Sequence, residues 1–321
     1  MKITYKLAFI FLIFLLTACS TNPSKPNENN GKLNIYTTVF PLKDFTEKIG
    51  GEYVEVTSVY PPGADEHSFE PSQKDMMDMS DSDIFFYIGL GLEGFVDQAN
   101  EILEKEDVNV VATGENISLS HGADSEKDHA DNETDHEDHA HGDEGHSHDI
   151  NPHVWLDPVY SKQLAESIYN TLAEELPEHK KEFQSNLSEL QTQLDELDTE
   201  FNTLTKNVSG DTIYVSHAAY SYWEERYGIN QQAIAGLNSA DEPSQKELKQ
   251  IIDQGEKDNV QYILFEQNIS SRLTEVVQKE LNAKALYLHN LSVLTEKDEK
   301  NNEDYFSLMK QNIETLRKAL Q

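Results

Sequence analysis

The residues best suited to chemistry in this 321-residue chain are its histidines, 12 in all. Three stand in loops of turn-forming composition. His67 lies in Pro61-Pro62-Gly63-Ala64-Asp65-Glu66-His67, after a candidate strand. His153 lies in Asn151-Pro152-His153-Val154-Trp155-Leu156-Asp157-Pro158, just before a helix. His217 directly follows another strand, in Ser216-His217-Ala218-Ala219-Tyr220. Any one of them alone would be read as structural or exposed. Three at equivalent places, read as the carboxyl ends of strands where open α/β sheets bind ligands, reverse that reading. Neutral imidazole is a ligand for zinc, copper or nickel rather than for magnesium or calcium.

A second group has another character. His121, His129, His136, His139, His141, His146 and His148 share one segment with eleven acids and a single Lys127. The segment holds no large apolar residue, so it cannot bury a core, and disorder is expected over 121–148. The pairs His139-Ala140-His141 and His146-Ser147-His148 put two imidazoles within reach of one ion. The acids raise the local cation concentration, so this loop should gather several metal ions weakly.

The elements that must hold the three loop histidines follow an alternating pattern. Candidate strands are Leu33–Val39, Tyr53–Val59, Ile84–Ile88 and Val108–Val111, then Thr212–Val215, Gln231–Ala235, Tyr262–Phe265 and Ala285–Leu288. Helical stretches follow nearly every one, which predicts parallel sheets covered on both faces. The fold class expected is therefore α/β, with two lobes, each a parallel four-stranded sheet with flanking helices. Between them Phe183, Leu187, Leu190, Leu194, Leu197, Phe201 and Leu204 step by four and three, one apolar stripe on a single long helix. Too short and too polar elsewhere for a coiled-coil dimer, this helix is read as packing against both lobes. The expected layout is an N-terminal lobe over 32–176, the connecting helix over 177–207 and a C-terminal lobe over 208–321.

The start of the chain points outside the cytoplasm. Lys2 and Lys6 precede the apolar run Leu7–Leu16, too short to span a bilayer but suited to a signal peptide, read as 1–18. Leu16-Thr17-Ala18-Cys19 looks like a bacterial lipobox, with Cys19 as the lipidated mature N-terminus and 19–31 as a flexible tether. Cys19 is the only cysteine, which excludes an internal disulfide and a thiolate metal site. The net charge of −34 excludes general nucleic-acid binding, which needs a basic face.

Taken together, the His67 loop, the Asn151–Pro158 segment, Ser216–Tyr220 and Ala235-Gly236-Leu237 with Asp241-Glu242-Pro243-Ser244 resemble the zinc-binding proteins of ABC importers. These belong to the class whose two lobes are joined by one long helix. The resemblance implies that His67, His153 and His217 bind Zn²⁺ between the lobes. It also implies an ABC permease and its ATPase as partners, with the membrane reached through the lipid on Cys19. A monomer is expected. Manganese-binding members typically carry a carboxylate where this chain has His217, and the His-rich loop is typical of zinc members.

One departure stands out. Where the family often supplies a carboxylate ligand after the last strand, this chain has Ser292, a poor ligand for zinc. The fourth position is expected to fall to water or to Glu66, with His289 as the alternative. Three histidines plus water also occur in zinc hydrolases, but no HExxH helix or comparable base motif accompanies them here, so no enzyme is expected. An adhesin or a passive zinc buffer remains the third class, permitted by the tether and the His-rich loop.

Overall fold

The structure, a computed structural model, describes residues 31–119, 150–267 and 272–321. The signal peptide, Cys19 and the seven histidines of the acidic loop lie outside the described residues.

The first sheet is built from β1 (Leu33–Thr37), β2 (Val54–Ser58), β3 (Ile84–Tyr87) and β4 (Asn109–Ala112), in the order β2-β1-β3-β4. The second repeats that plan with β5 (Thr212–Val215), β6 (Asn230–Ala233), β7 (Tyr262–Phe265) and β8 (Lys284–Tyr287), in the order β6-β5-β7-β8. Every neighbouring pair is parallel. Parallel neighbours require crossovers, and the helices that make them cover the sheet faces. In the first lobe these are α1 (Phe40–Gly50), α2 (Gln73–Ser80) and α3 (Val96–Leu103). The buried run Ile84-Phe85-Phe86 in β3 shows the central position of that strand.

Two long helices follow, α4 (Pro158–Glu175) and α5 (Lys180–Lys206). Pro158 opens α4 at a position where a missing N–H costs nothing, and the Asp157 side chain accepts from the amides of Val159 and Tyr160. All seven apolar residues of the α5 stripe are buried. They pack against α1, α4, α10 (Tyr305–Ala319) and α6 (Ser221–Tyr227), so the stripe is consumed within the chain. At about 1.5 Å per residue the 27-residue helix is a rod of roughly 40 Å. One continuous core runs from Ile35 and Phe85 in the first lobe, through Leu194 of α5, to Ile213 and Leu264 in the second. The second lobe is completed by α7 (Gln245–Lys257), α8 (Arg272–Glu280) and the short α9 (Glu296–Asn301).

The two-lobed α/β plan with its long helix is the one expected from the sequence. Two details differ. A short helix, α9, forms where the sequence showed only polar residues, because Thr295 and Asp298 make a capping box there. His153 does not end a strand. It caps a single 3₁₀ turn, Val154–Leu156, immediately before α4.

Candidate metal centre

His67 and Glu66 reach the site from the loop after β2. Gly63 takes a left-handed conformation (φ +77°) at the turn, and the Asp65 side chain accepts from the His67 amide at 3.0 Å. His217 stands two residues beyond β5 and is fully buried, as is His153. One donor atom from each of Glu66, His67, His153 and His217 lies within 4.8 Å of the others. The four side chains that the sequence marked thus meet at one point.

The hydrogen bonds of the rings fix their chemistry. His153 Nδ1 is 2.7 Å from Asn151 Oδ1, and His217 Nδ1 is 2.5 Å from Glu266 Oε1. Both oxygens are acceptors, so both Nδ1 atoms carry protons. In the neutral rings the two Nε2 lone pairs then face each other across 3.2 Å. Two bare lone pairs at that distance repel unless a cation or a proton lies between them. Nitrogens bound at about 2.0–2.1 Å to one tetrahedral zinc sit about 3.3 Å apart, so the spacing fits. His67 Nε2 is buried with no hydrogen-bond partner, which adds a third uncommitted nitrogen. Its ring centroid is 5.1 Å from that of His153 and 5.8 Å from that of His217. Glu66 Oε1 approaches His153 Nε2 to 4.0 Å.

Burial sets the protonation states. It drives the His67 pKa down to about 4, helped by the charge of His217, and holds His153 well below the ordinary imidazole value. Burial also pushes Glu66 up to about 7. For His217 burial works downward, but the charge and hydrogen bond of Glu266 outweigh it, and the net shift is upward. A proton on His217 Nε2 can bridge to His153 Nε2, so a proton and a metal ion compete for the same gap.

A family model described as the periplasmic component A of the zinc-uptake complex, ZnuA, matches residues 35–319. The chain belongs to the ZnuA family. Among relatives of this ZnuA-family chain, the zinc-binding lipoprotein AdcA of Streptococcus pneumoniae serotype 4 is 34% identical over 319 residues. That match covers 99% of this chain but 61% of AdcA, so the chain spans about three fifths of that relative's length. The high-affinity zinc uptake system protein ZnuA of Bacillus subtilis is 28% identical, with 98% of this chain and 96% of the relative covered. The crystal structure of the Zn(II)-bound ZnuA-like domain of pneumococcal AdcA superposes with a TM-score of 0.72 at 29% identity. It covers 90% of this chain and 99% of that domain.

Three residues that sequence reasoning passed over complete the site of this ZnuA-family chain. Asn151 orients His153, Glu266 orients His217, and Asn290 donates its side-chain amide to both Glu66 and Glu266. Glu266 and Asn290 each follow the carboxyl end of a strand, β7 and β8, and that place was their one legible signal. His289 is turned away from the site. Its Nδ1 accepts from the Leu291 amide at 2.9 Å and its Nε2 is 3.3 Å from Asp298 Oδ2, so it has no nitrogen to offer. Ser292 is buried, and its hydroxyl is 2.9 Å from Asn290 Oδ1.

Proposed function

We propose that this chain is the extracytoplasmic zinc-binding protein of an ABC importer, held at the membrane by a lipid on Cys19. It binds one Zn²⁺ through His67, His153, His217 and Glu66, and delivers it unchanged to a permease driven by its ATPase. The observation that carries this reading is the pair of buried Nε2 atoms 3.2 Å apart, with a third nitrogen, His67 Nε2, left without a partner beside them. Membership of the ZnuA family supports zinc as the cargo, and three imidazoles favour it along the Irving–Williams order. Glu66 is assigned to the ion and Glu266 to the His217 ring, roles in which each carboxylate serves binding rather than proton transfer.

The attachments of each ligand indicate how the ion leaves. His153 belongs by sequence to the first lobe, yet its segment is fastened to the second. Asn151 Nδ2 donates to Ser221 Oγ at 2.7 Å, Trp223 Nε1 donates to the Leu156 carbonyl at 2.8 Å, and Arg226 pairs with Asp157. His153 and His217 therefore form a fixed pair. The Glu66–His67 loop is tied across by fewer bonds, among them Ser239 Oγ to Asp65 Oδ2 at 2.8 Å and Gly63 N to the Leu294 carbonyl at 3.2 Å. Release proceeds by withdrawal of that loop, while α5 stays stiff.

Three outcomes test the reading. In a competition titration on the full chain, Zn²⁺ is expected to displace Mn²⁺ even when Mn²⁺ is in large excess. A chain lacking residues 121–148 should keep one tight zinc and lose only weak sites; loss of the tight site would show that the loop supplies a primary ligand. Ser292→Ala should cost much less than a histidine variant, about tenfold, since its hydroxyl bonds Asn290 and the Glu66 carboxylate and supports a ligand rather than being one. Calorimetry against a competing chelator measures this. A loss as large as that of a histidine variant would make Ser292 a ligand.

A further inference from the structure

Asn290 lies at the centre of the site without being one of the four proposed ligands, and it is 1% exposed. Its hydrogen-bonding capacity is filled. Nδ2 donates to Glu66 Oε1 and to Glu266 Oε2, each at 2.9 Å, while Oδ1 accepts from the Ser292 amide at 3.1 Å and from its hydroxyl at 2.9 Å. This pattern fixes the amide, because the flipped group would turn its oxygen toward two carboxylates. The support beneath it is rigid as well. The Asn290 carbonyl accepts from Trp155 Nε1 at 2.7 Å. The preceding residue is clamped by Asn312, whose Oδ1 accepts from the His289 amide at 2.8 Å and whose Nδ2 donates to the His289 carbonyl at 2.7 Å.

We infer that Asn290 is a positioning residue that holds Glu66 as a one-oxygen ligand and so enforces four-coordinate binding, favouring zinc over ions that take more ligands. The inference rests on the proposed ligand set. A carboxylate that chelates through both oxygens must turn both toward the ion. The N–H held at 2.9 Å is on Oε1, the oxygen that approaches His153 Nε2 to 4.0 Å, so it fixes how that one oxygen is presented, and the turn that would bring Oε2 alongside breaks the bond. Zinc is satisfied by four donors, whereas manganese prefers six oxygen-rich positions. The second N–H of the same amide steadies Glu266, which in turn orients His217 through Nδ1. One side chain thus aligns a ligand from each lobe, the role that partners behind the ligands play at metal sites generally.

The test uses the full chain loaded with Co²⁺, whose visible absorption is strong in four-coordinate sites and weak in higher coordination, together with Zn²⁺/Mn²⁺ competition. Wild type should show the strong band. Asn290→Ala should weaken that band, lower zinc affinity about 10–100-fold and narrow the preference for zinc over manganese by about tenfold or more. In a Glu66→Gln background the same substitution should add no further spectral change, since its effect passes through Glu66; a general loss of structure would add one. Asn290→Ser is measured alongside, and decides the matter if the alanine variant does not fold. An unchanged band and an unchanged preference in these variants would overturn the inference. His217→Ala separates the two readings. If it loses tight binding while Asn290 variants behave as wild type, only the positioning role fails. If it keeps tight binding, the ligand set fails and the role of Asn290 falls with it.

Discussion

His217→Ala is expected to lower zinc affinity by about 10²–10³-fold. Structural zinc sites bind with roughly 10–16 kcal/mol, so a quarter share per ligand is about 2.5–4 kcal/mol, which converts to roughly that factor. The cost reaches further than one nitrogen. His217 Nδ1 is held by Glu266, which is 4% exposed and bound through its other oxygen to Asn290. Removing the ring leaves Glu266 Oε1 without its donor and loosens the chain of contacts that ends on Glu66. His67→Ala removes an equivalent ligand nitrogen, Nε2, which has no hydrogen-bond partner among the described residues to be left unpaired. The two variants should therefore lose similar zinc affinity, with the greater loss of apo stability in His217→Ala. Chelator competition measures the first quantity and thermal unfolding of the apo proteins the second. Retention of wild-type affinity in either variant would remove that residue from the ligand set.

Zinc affinity is also expected to fall steeply as pH drops through 7. The sign follows from which groups must give up protons. Burial raises Glu66 to about 7, so below that pH a proton has to leave before the carboxylate can bind. His217, raised above the ordinary imidazole value by the charge and hydrogen bond of Glu266, competes as well through Nε2. His67 is held down at about 4 and His153 well below an ordinary imidazole, so both rings stay neutral, with one nitrogen open to a metal, across the whole window. Binding near pH 6 should release about one to two protons, and affinity should drop roughly tenfold per pH unit for each. Glu66→Gln should flatten part of that slope. The apo fold responds in the opposite sense at Glu66. A carboxyl whose folded pKa lies above its ordinary value contributes stability that is fully present below about 4.5 and lost as pH rises through about 7. Zinc binding should therefore stabilise the protein more at pH 8 than at pH 6. Calorimetry in buffers of different ionisation enthalpy counts the protons, and an affinity flat from pH 7.5 to 5.5 would contradict the proposed site.

Much of this could be read from the amino acids because the governing patterns are local. Short Val/Ile/Phe runs alternating with helices specify parallel sheets, and the stripe from Phe183 to Leu204 needs no partner beyond its own chain. His67, His153 and His217 stood out only together: one such histidine would be read as structural or exposed, but three read at equivalent loop positions point to a ligand set. Glu66 entered only as an alternative to water, since adjacency to His67 cannot show whether a carboxylate points inward. What stayed hidden depends on contacts between distant residues. Asn290 lies 224 positions from Glu66, and no spacing rule links them. The attachment of the His153 segment to the second lobe was equally invisible. It depends on Asn151, Trp223 and Arg226 meeting across the junction, whereas chain order assigns that segment to the first. His289 was read as a possible ligand because it ends a strand, and only the fold shows both its nitrogens in use.

The most direct measurement is a crystal structure of the zinc-loaded chain with anomalous scattering collected at the zinc edge. The account predicts one strong peak between the lobes, bonded to His67, His153 and His217 and to a single oxygen of Glu66, with Asn290 still on that carboxylate. A strong peak held instead by His289, by Ser292 or by histidines of the 121–148 loop, with the gap between His153 and His217 empty, would contradict it.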